Sequence, residues 1–375
     1  MNRNLLFIAL ALLTWGFGEG LFFNFQPIYL KELGSNEQQI GLILGAFGIA
    51  MAITHIPAGR LADRIGRRPL LIAAWLTGLA STIVMALARE LPMFIVGMLG
   101  YGLTAFVSSP LGSYVTAARG EWSVRTALAL TTVTFNMGMV LGPWVGGLIS
   151  ARYDLRTVYF FAAGSFVLSL VFILFIQKQP IDHHDPDAPP IDLIRNGRLL
   201  SFFGMVGFSV FAMYLAQPLT ANFMYDVRGL LLDRIGIVFA IGALGNAILA
   251  ITLSFIHPRA GFLLAQLFVG CFTLLIWQAA SLPFILLGYF LLGGFRAARP
   301  MMMAQARELV HDSQMGVTFG MMETIYALIA IVTPPLAGYL YAIDPAMSYP
   351  LSFALIVVSV FVSFFSLRRL AHSGR

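Results

Sequence analysis

Apolar stretches, each about as long as a bilayer is thick, recur along the chain and are interrupted by charged residues, Pro and Gly. Splitting at those interruptions predicts twelve spans: 4–30, 38–58, 69–88, 91–117, 127–151, 157–177, 199–225, 230–256, 259–280, 282–305, 314–342 and 347–367. A spanning helix needs about 20 mostly apolar residues. The runs are long and do not alternate with a period of two, so helices are predicted and not a barrel. Met1 to Trp15 has the basic start and apolar stretch of a signal peptide. The run nevertheless continues past Glu19 to Leu30 without a small-residue cleavage site, so it reads as a retained first span.

The one long polar segment, Gln177 to Arg198, carries Pro180, Pro186, Pro189 and Pro190 among Asp and His residues. It divides the chain into a six-helix bundle over 1–177, a linker over 178–198 and a second bundle over 199–375. The halves repeat one another: Leu99-Gly100-Tyr101 and Ala118-Arg119 recur 188 residues later as Leu287-Gly288-Tyr289 and Ala306-Arg307. Val133-Thr134-Phe135 recurs as Val317-Thr318-Phe319. The same order in equivalent spans predicts an all-α membrane fold of two pseudo-symmetric six-helix bundles. With both termini cytoplasmic, 17 of the Lys and Arg residues fall inside and 6 outside, so that orientation is predicted.

Composition agrees: of 375 residues 59% are hydrophobic and 11% charged, outside the range of soluble domains. The net charge of +6 is dispersed between apolar runs, which fits membrane topology and not nucleic-acid binding. Cys271 is the single cysteine, so neither a disulfide framework nor a thiolate metal site is expected. Met301, Met302 and Met303 have no His or Cys beside them and read as soft packing, so no metal and no cofactor are expected.

Between the second and third spans the chain reads Gly59-Arg60-Leu61-Ala62-Asp63-Arg64-Ile65-Gly66-Arg67-Arg68. Glycines suit a tight turn, arginines hold the segment in the cytoplasm beside anionic headgroups, and Asp63 is a carboxylate placed for charge-assisted bonds. Position for position this string resembles the signature loop of the major facilitator superfamily. The resemblance implies alternating access between two halves, with Asp63 latching one access state and Gly59, Arg64, Gly66, Arg67, Arg68 and Arg119 belonging to the conformational machinery. The second half keeps only His257-Pro258-Arg259 at the equivalent place, so no second latch is expected.

In the fifth span Gly138, Gly142 and Gly146 fall four apart on one helix face, with Pro143 and Gly147 beside them. Small residues let a neighbouring backbone approach, and Pro143 removes a donor. The string resembles a motif found mainly in proton-coupled antiporters of that superfamily, drug exporters especially. In such proteins its partner is the eighth span, which here offers Gly236, Gly242 and Gly245.

A charge at mid-bilayer costs about 2.5 to 3.5 kcal/mol on translocon scales and needs a reason to be there. Glu19 lies halfway along the first span. Burial penalises its charged form, which makes it a candidate proton carrier. Glu323 in the eleventh span is a second candidate, or a bridge between helices. Arg296 lies deep in the tenth span, roughly 16 Å from Arg307 at 1.5 Å per residue, and Arg299 lies one turn nearer the end. The resemblance implies a cavity lined by the first, fourth, seventh and tenth spans, so that Glu19 and Arg296 could face the same cavity and could pair in the empty protein. Further candidates for substrate contact are Asn24, Gln26, Tyr101, Tyr214, Gln217, Asn222 and Tyr289.

No GxxxxGK[ST] loop occurs, so an ion or substrate gradient is the expected driving force. The leading expectation is proton-coupled export of small organic compounds by a monomer in the inner membrane, with uptake or exchange of an anionic metabolite as the alternative. An integral-membrane enzyme would need a convergent nucleophile, base or metal set, and His183 and His184 in the linker do not supply one. A non-transporting sensor would carry an added soluble domain, and nothing extends beyond the twelve spans.

Overall fold

The computed structural model describes residues 2–179, 197–279, 281–307, 309–310 and 315–372, with side chains described outside 55–64, 109, 315–317 and 367–372. Most of the linker therefore lies outside the described residues. The elements are α1 (Arg3–Phe22), α2 (Gln26–Glu32), α3 (Glu37–Ile65), α4 (Arg67–Leu87), α5 (Leu91–Gly102), α6 (Ser108–Ala118), α7 (Val124–Arg152) and α8 (Leu155–Leu174). After the linker come α9 (Gly197–Tyr214), α10 (Thr220–Asn222), α11 (Leu232–Ser254), α12 (Pro258–Gln278), α13 (Leu282–Arg307), α14 (Met315–Ile343) and α15 (Ser348–His372). Among the described residues eleven helices are long and apolar enough to cross a membrane. The pair Leu91–Val107 and Pro110–Ala118, bent by 41°, makes a twelfth crossing when taken as one span. The architecture is all-α, as the apolar pattern predicts.

Three spans expected to be continuous are broken. The first passes through a 3-10 turn at Phe23–Phe25, the fourth through another at Leu103–Val107, and the seventh stops at Tyr214 and resumes at Thr220. A proline lies just beyond the first two breaks, at Pro27 and Pro110, and another, Pro218, lies inside the third, and each removes a helical N–H donor. The stretch Gly59–Arg68 is not a loop either. Its first seven residues prolong α3, and α4 starts at Arg67, so Gly66 alone forms the turn, with φ 85°.

Two compact units are formed. The first holds Met1–Asn36, Ala46–Asp185 and Met224–Ala240; the second holds Glu37–Gly45, Pro186–Phe223 and Ile241–Arg375. In the first, α1 is packed between α7 and α8. The Trp75 indole N–H of α4 donates to Ser169 Oγ of α8 at 2.7 Å, and Ser169 donates to the Ala11 carbonyl of α1 at 2.6 Å. The second unit has its own buried node on the corresponding three spans. Ser359 Oγ of α15 lies 2.7 Å from both Ser209 Oγ of α9 and Gln266 Oε1 of α12, and Gln266 Nε2 donates to Ser363 Oγ. The two repeats thus tie the same trio of helices together with different side chains.

Candidate functional site

Glu19 is held from two directions. Its Oε2 accepts a hydrogen bond from Trp15 Nε1, one turn earlier on α1, at 3.1 Å, and another from the Tyr101 hydroxyl of α5 at 2.8 Å. Trp15 and Tyr101 are buried, and Glu19 is partly exposed. The Trp15 ring lies parallel to Phe166 at 4.3 Å and to Tyr101 at 6.1 Å, with Trp75 at 4.9 Å and Phe22 edge-on to Tyr101. Gly78 of α4 gives the indole its place, because a Cβ there would strike the ring. The result is one carboxylate set in aromatic walls, its position fixed by two donors that apolar packing immobilises. Trp15 escaped the sequence reading, although its spacing of four from Glu19 was the available signal.

The fifth-span glycines do not all meet the eighth span. Gly138 of α7 lies against the α1 backbone at Leu13, Gly16 and Phe17, Gly142 lies against it at Phe17 and Gly20, and Gly146 lies against Leu21, so close that no Cβ would fit. Only Gly147 meets Gly236 of α11. Gly242 faces Tyr289 of α13, and Gly245 faces Phe290 and Gly293. The stripe thus seats the helix that carries Glu19.

In the second unit Arg299 of α13 forms an ion pair with Glu323 of α14, and its guanidinium lies over the Tyr326 ring at 5.1 Å. Glu323 thereby bridges two helices, and Arg299 has an internal counter-ion. Arg296 lies one turn earlier on α13, beside Phe295, on whose ring that of Tyr214 stacks at 5.7 Å. Tyr289, at the place that Tyr101 holds in the first repeat, is buried edge-on to Phe272. Gln217 donates its Nε2 to the Met213 carbonyl at 2.8 Å and so serves the end of α9. Asn24 is partly exposed in the 3-10 turn, and Gln26 and Asn222 are buried.

Of the signature string, Arg68 donates from Nε to the Ile176 carbonyl at 2.7 Å and from a terminal nitrogen to that of Leu174, while Arg67 reaches Gln179. The Tyr114 hydroxyl donates to the Gln177 carbonyl at 2.6 Å, and Arg119 donates to Thr116 of its own helix. The side chains of Asp63 and Arg64 lie outside the described ones.

Residues 8–264 match the sequence profile of the Major Facilitator Superfamily. The chain belongs to that superfamily. It is 24% identical over 361 residues to multidrug resistance protein 2 of Bacillus subtilis, covering 92% of this chain and 89% of that one. It is 30% identical over 188 residues to multidrug resistance protein MdtG of Escherichia fergusonii, covering 48% and 45%. An uncharacterized MFS-type transporter of Methanocaldococcus jannaschii aligns over about half of each chain, 54% and 52%, at 24% identity. Among solved structures, a mutant of the nucleoside transporter NupG superposes with a TM-score of 0.84 at 12% identity, covering 98% of this chain and 99% of that one. A sulfate-bound peptide transporter superposes with a TM-score of 0.80 at 16% identity, covering 99% and 96%. At such identities these two structures bear on the fold alone. The chain is therefore a multi-pass membrane transporter of small molecules.

Proposed function

We propose that this transporter exports small lipophilic organic compounds from the cell in exchange for protons, acting as a monomer in the inner membrane with both termini cytoplasmic. The observation that carries this reading is Glu19, a carboxylate midway along a membrane span, set among Trp15, Phe22, Tyr101 and Phe166. Aromatic walls offer area to apolar compounds, and a single acid can hold a proton or a cation but not both. Relatives named for multidrug resistance support export, as does the glycine motif of α7. In alternating access the bundles 1–177 and 199–375 would rock about a midplane site. The anionic-metabolite alternative rests on Arg296, since Arg299 is engaged by Glu323.

The test is transport in proteoliposomes with a pH-sensitive dye trapped inside, using a lipophilic cation and a lipophilic neutral compound as substrates. Substrate-driven proton movement is expected in the native protein and is expected to be lost in Glu19→Gln. Undiminished proton movement in Glu19→Gln would remove Glu19 from the mechanism.

A further inference from the structure

The breaks in the first and seventh spans are copies of one another. Gln26-Pro27 and Gln217-Pro218 stand 191 residues apart, and at each the proline deprives the carbonyl four residues earlier of its helical donor. In both places the glutamine's own N–H takes up that carbonyl: Gln26 N–H bonds to Phe23, and Gln217 N–H bonds to Tyr214 at 2.9 Å. Each glutamine thereby withdraws from the carbonyl it would have bonded in a continuous helix. In the seventh span that carbonyl, Met213, is satisfied by the Gln217 side chain at 2.8 Å.

The first span departs from this arrangement at one atom. Gln26 is 2% exposed, and its Nε2 has no hydrogen-bond acceptor among the described residues. A buried amide nitrogen left unpaired is rare in folded proteins and requires an explanation. Gln26 lies seven residues beyond Glu19 on the same span, about 11 Å along the axis. Paired Pro-interrupted spans at corresponding positions of two repeats are where carriers of this kind place their binding residues.

We propose that Gln26 determines specificity: its amide nitrogen donates a hydrogen bond to an uncharged acceptor on the substrate, such as a carbonyl oxygen or a ring nitrogen. The inference depends on the exporter reading above, and it narrows the cargo to lipophilic compounds that carry such an acceptor. Local sequence alone does not confer the role, because Gln217 has the same neighbour and uses its nitrogen on its own helix.

The experiment measures binding to the purified full chain of two matched probes: a tertiary amine bearing a phenyl ketone, and its analogue with a methylene in place of the carbonyl. The native protein is expected to bind the ketone about three- to tenfold more tightly, the worth of one neutral hydrogen bond. Gln26→Met is expected to bind both probes equally, at the level of the methylene compound. Gln217→Met is expected to keep the preference. A native protein without preference, or a Gln26→Met protein that retains it, overturns the inference while leaving the exporter reading intact. If neither probe binds the native protein, the exporter reading fails and the inference fails with it. Thermal midpoints supply a check that needs no probe. Gln26→Met removes a nitrogen with no acceptor and is expected not to lower the midpoint, whereas Gln217→Met orphans Met213 and is expected to lower it. An equal drop in both would show that Gln26 has a structural partner, and would overturn the inference.

Discussion

Arg68 and Arg156 cap each other's helices. Arg68, the second residue of α4, reaches the carbonyls of Leu174 and Ile176 at the end of α8. Arg156, the second residue of α8, reaches those of Ala86 and Leu87 at the end of α4. Two antiparallel helices thus exchange a guanidinium for unpaired terminal carbonyls at both membrane faces, where the helix dipole also favours a cation.

Replacing either arginine by Ala is expected to lower stability by about 1 to 2 kcal/mol, from a charge-assisted hydrogen bond and the dipole term. Lysine would restore only part of it, being a point charge in place of a fork. The two sites lie about 30 Å apart, so the losses are expected to add. Thermal melts of Arg68→Ala, Arg156→Ala and the double variant check this.

Gly142 faces Gly20 with no room for a Cβ, whereas among the described residues nothing lies within 4 Å of a Cβ built at Gly164 on α8. Gly142→Ala is expected to force α1 from α7, displace Glu19 and reduce transport at least tenfold. Gly164→Ala is expected to stay within about 0.5 kcal/mol of the native stability. Flux and melting of the two variants, side by side, decide the matter.

Ser169 is both acceptor and donor in its node, so Ser169→Ala removes two interhelical hydrogen bonds, each worth about 0.6 kcal/mol in a membrane protein. Ser359→Ala makes the equivalent cut in the second unit. Both are expected to destabilise by about 1 to 2 kcal/mol, read by unfolding in mixed detergent.

For the Arg299–Glu323 pair, Arg299→Ala is expected to be worse than Arg299→Ala combined with Glu323→Gln, because the single variant strands a carboxylate in the membrane. A double-mutant cycle in thermal stability that shows no coupling would contradict this.

The apolar runs and the string at Gly59–Arg68 made the helical fold and the superfamily legible, because lipid imposes span length and family membership is written in contiguous residues. Contacts across the bundle were not. Tyr101 meets Glu19 from 82 residues away and Glu323 meets Arg299 from 24, and no local pattern encodes either pairing. The Gln-Pro breaks were written in the chain, yet apolar residues on both sides masked them as continuous spans. Gly138 and Gly142 announced a close helix contact without naming the partner, since a small residue admits any backbone.

Gly66 is the whole connection between α3 and α4. A link of one residue contributes only two soft torsions. It can swivel but has no slack, so α3 cannot slide along its axis without pulling α4 with it. The two helices are therefore coupled like a crank in axial motion: a slide of α3 would be passed to α4, and through the mutual caps to α8. Lengthening this turn by even one residue would loosen that crank while leaving every helix in place.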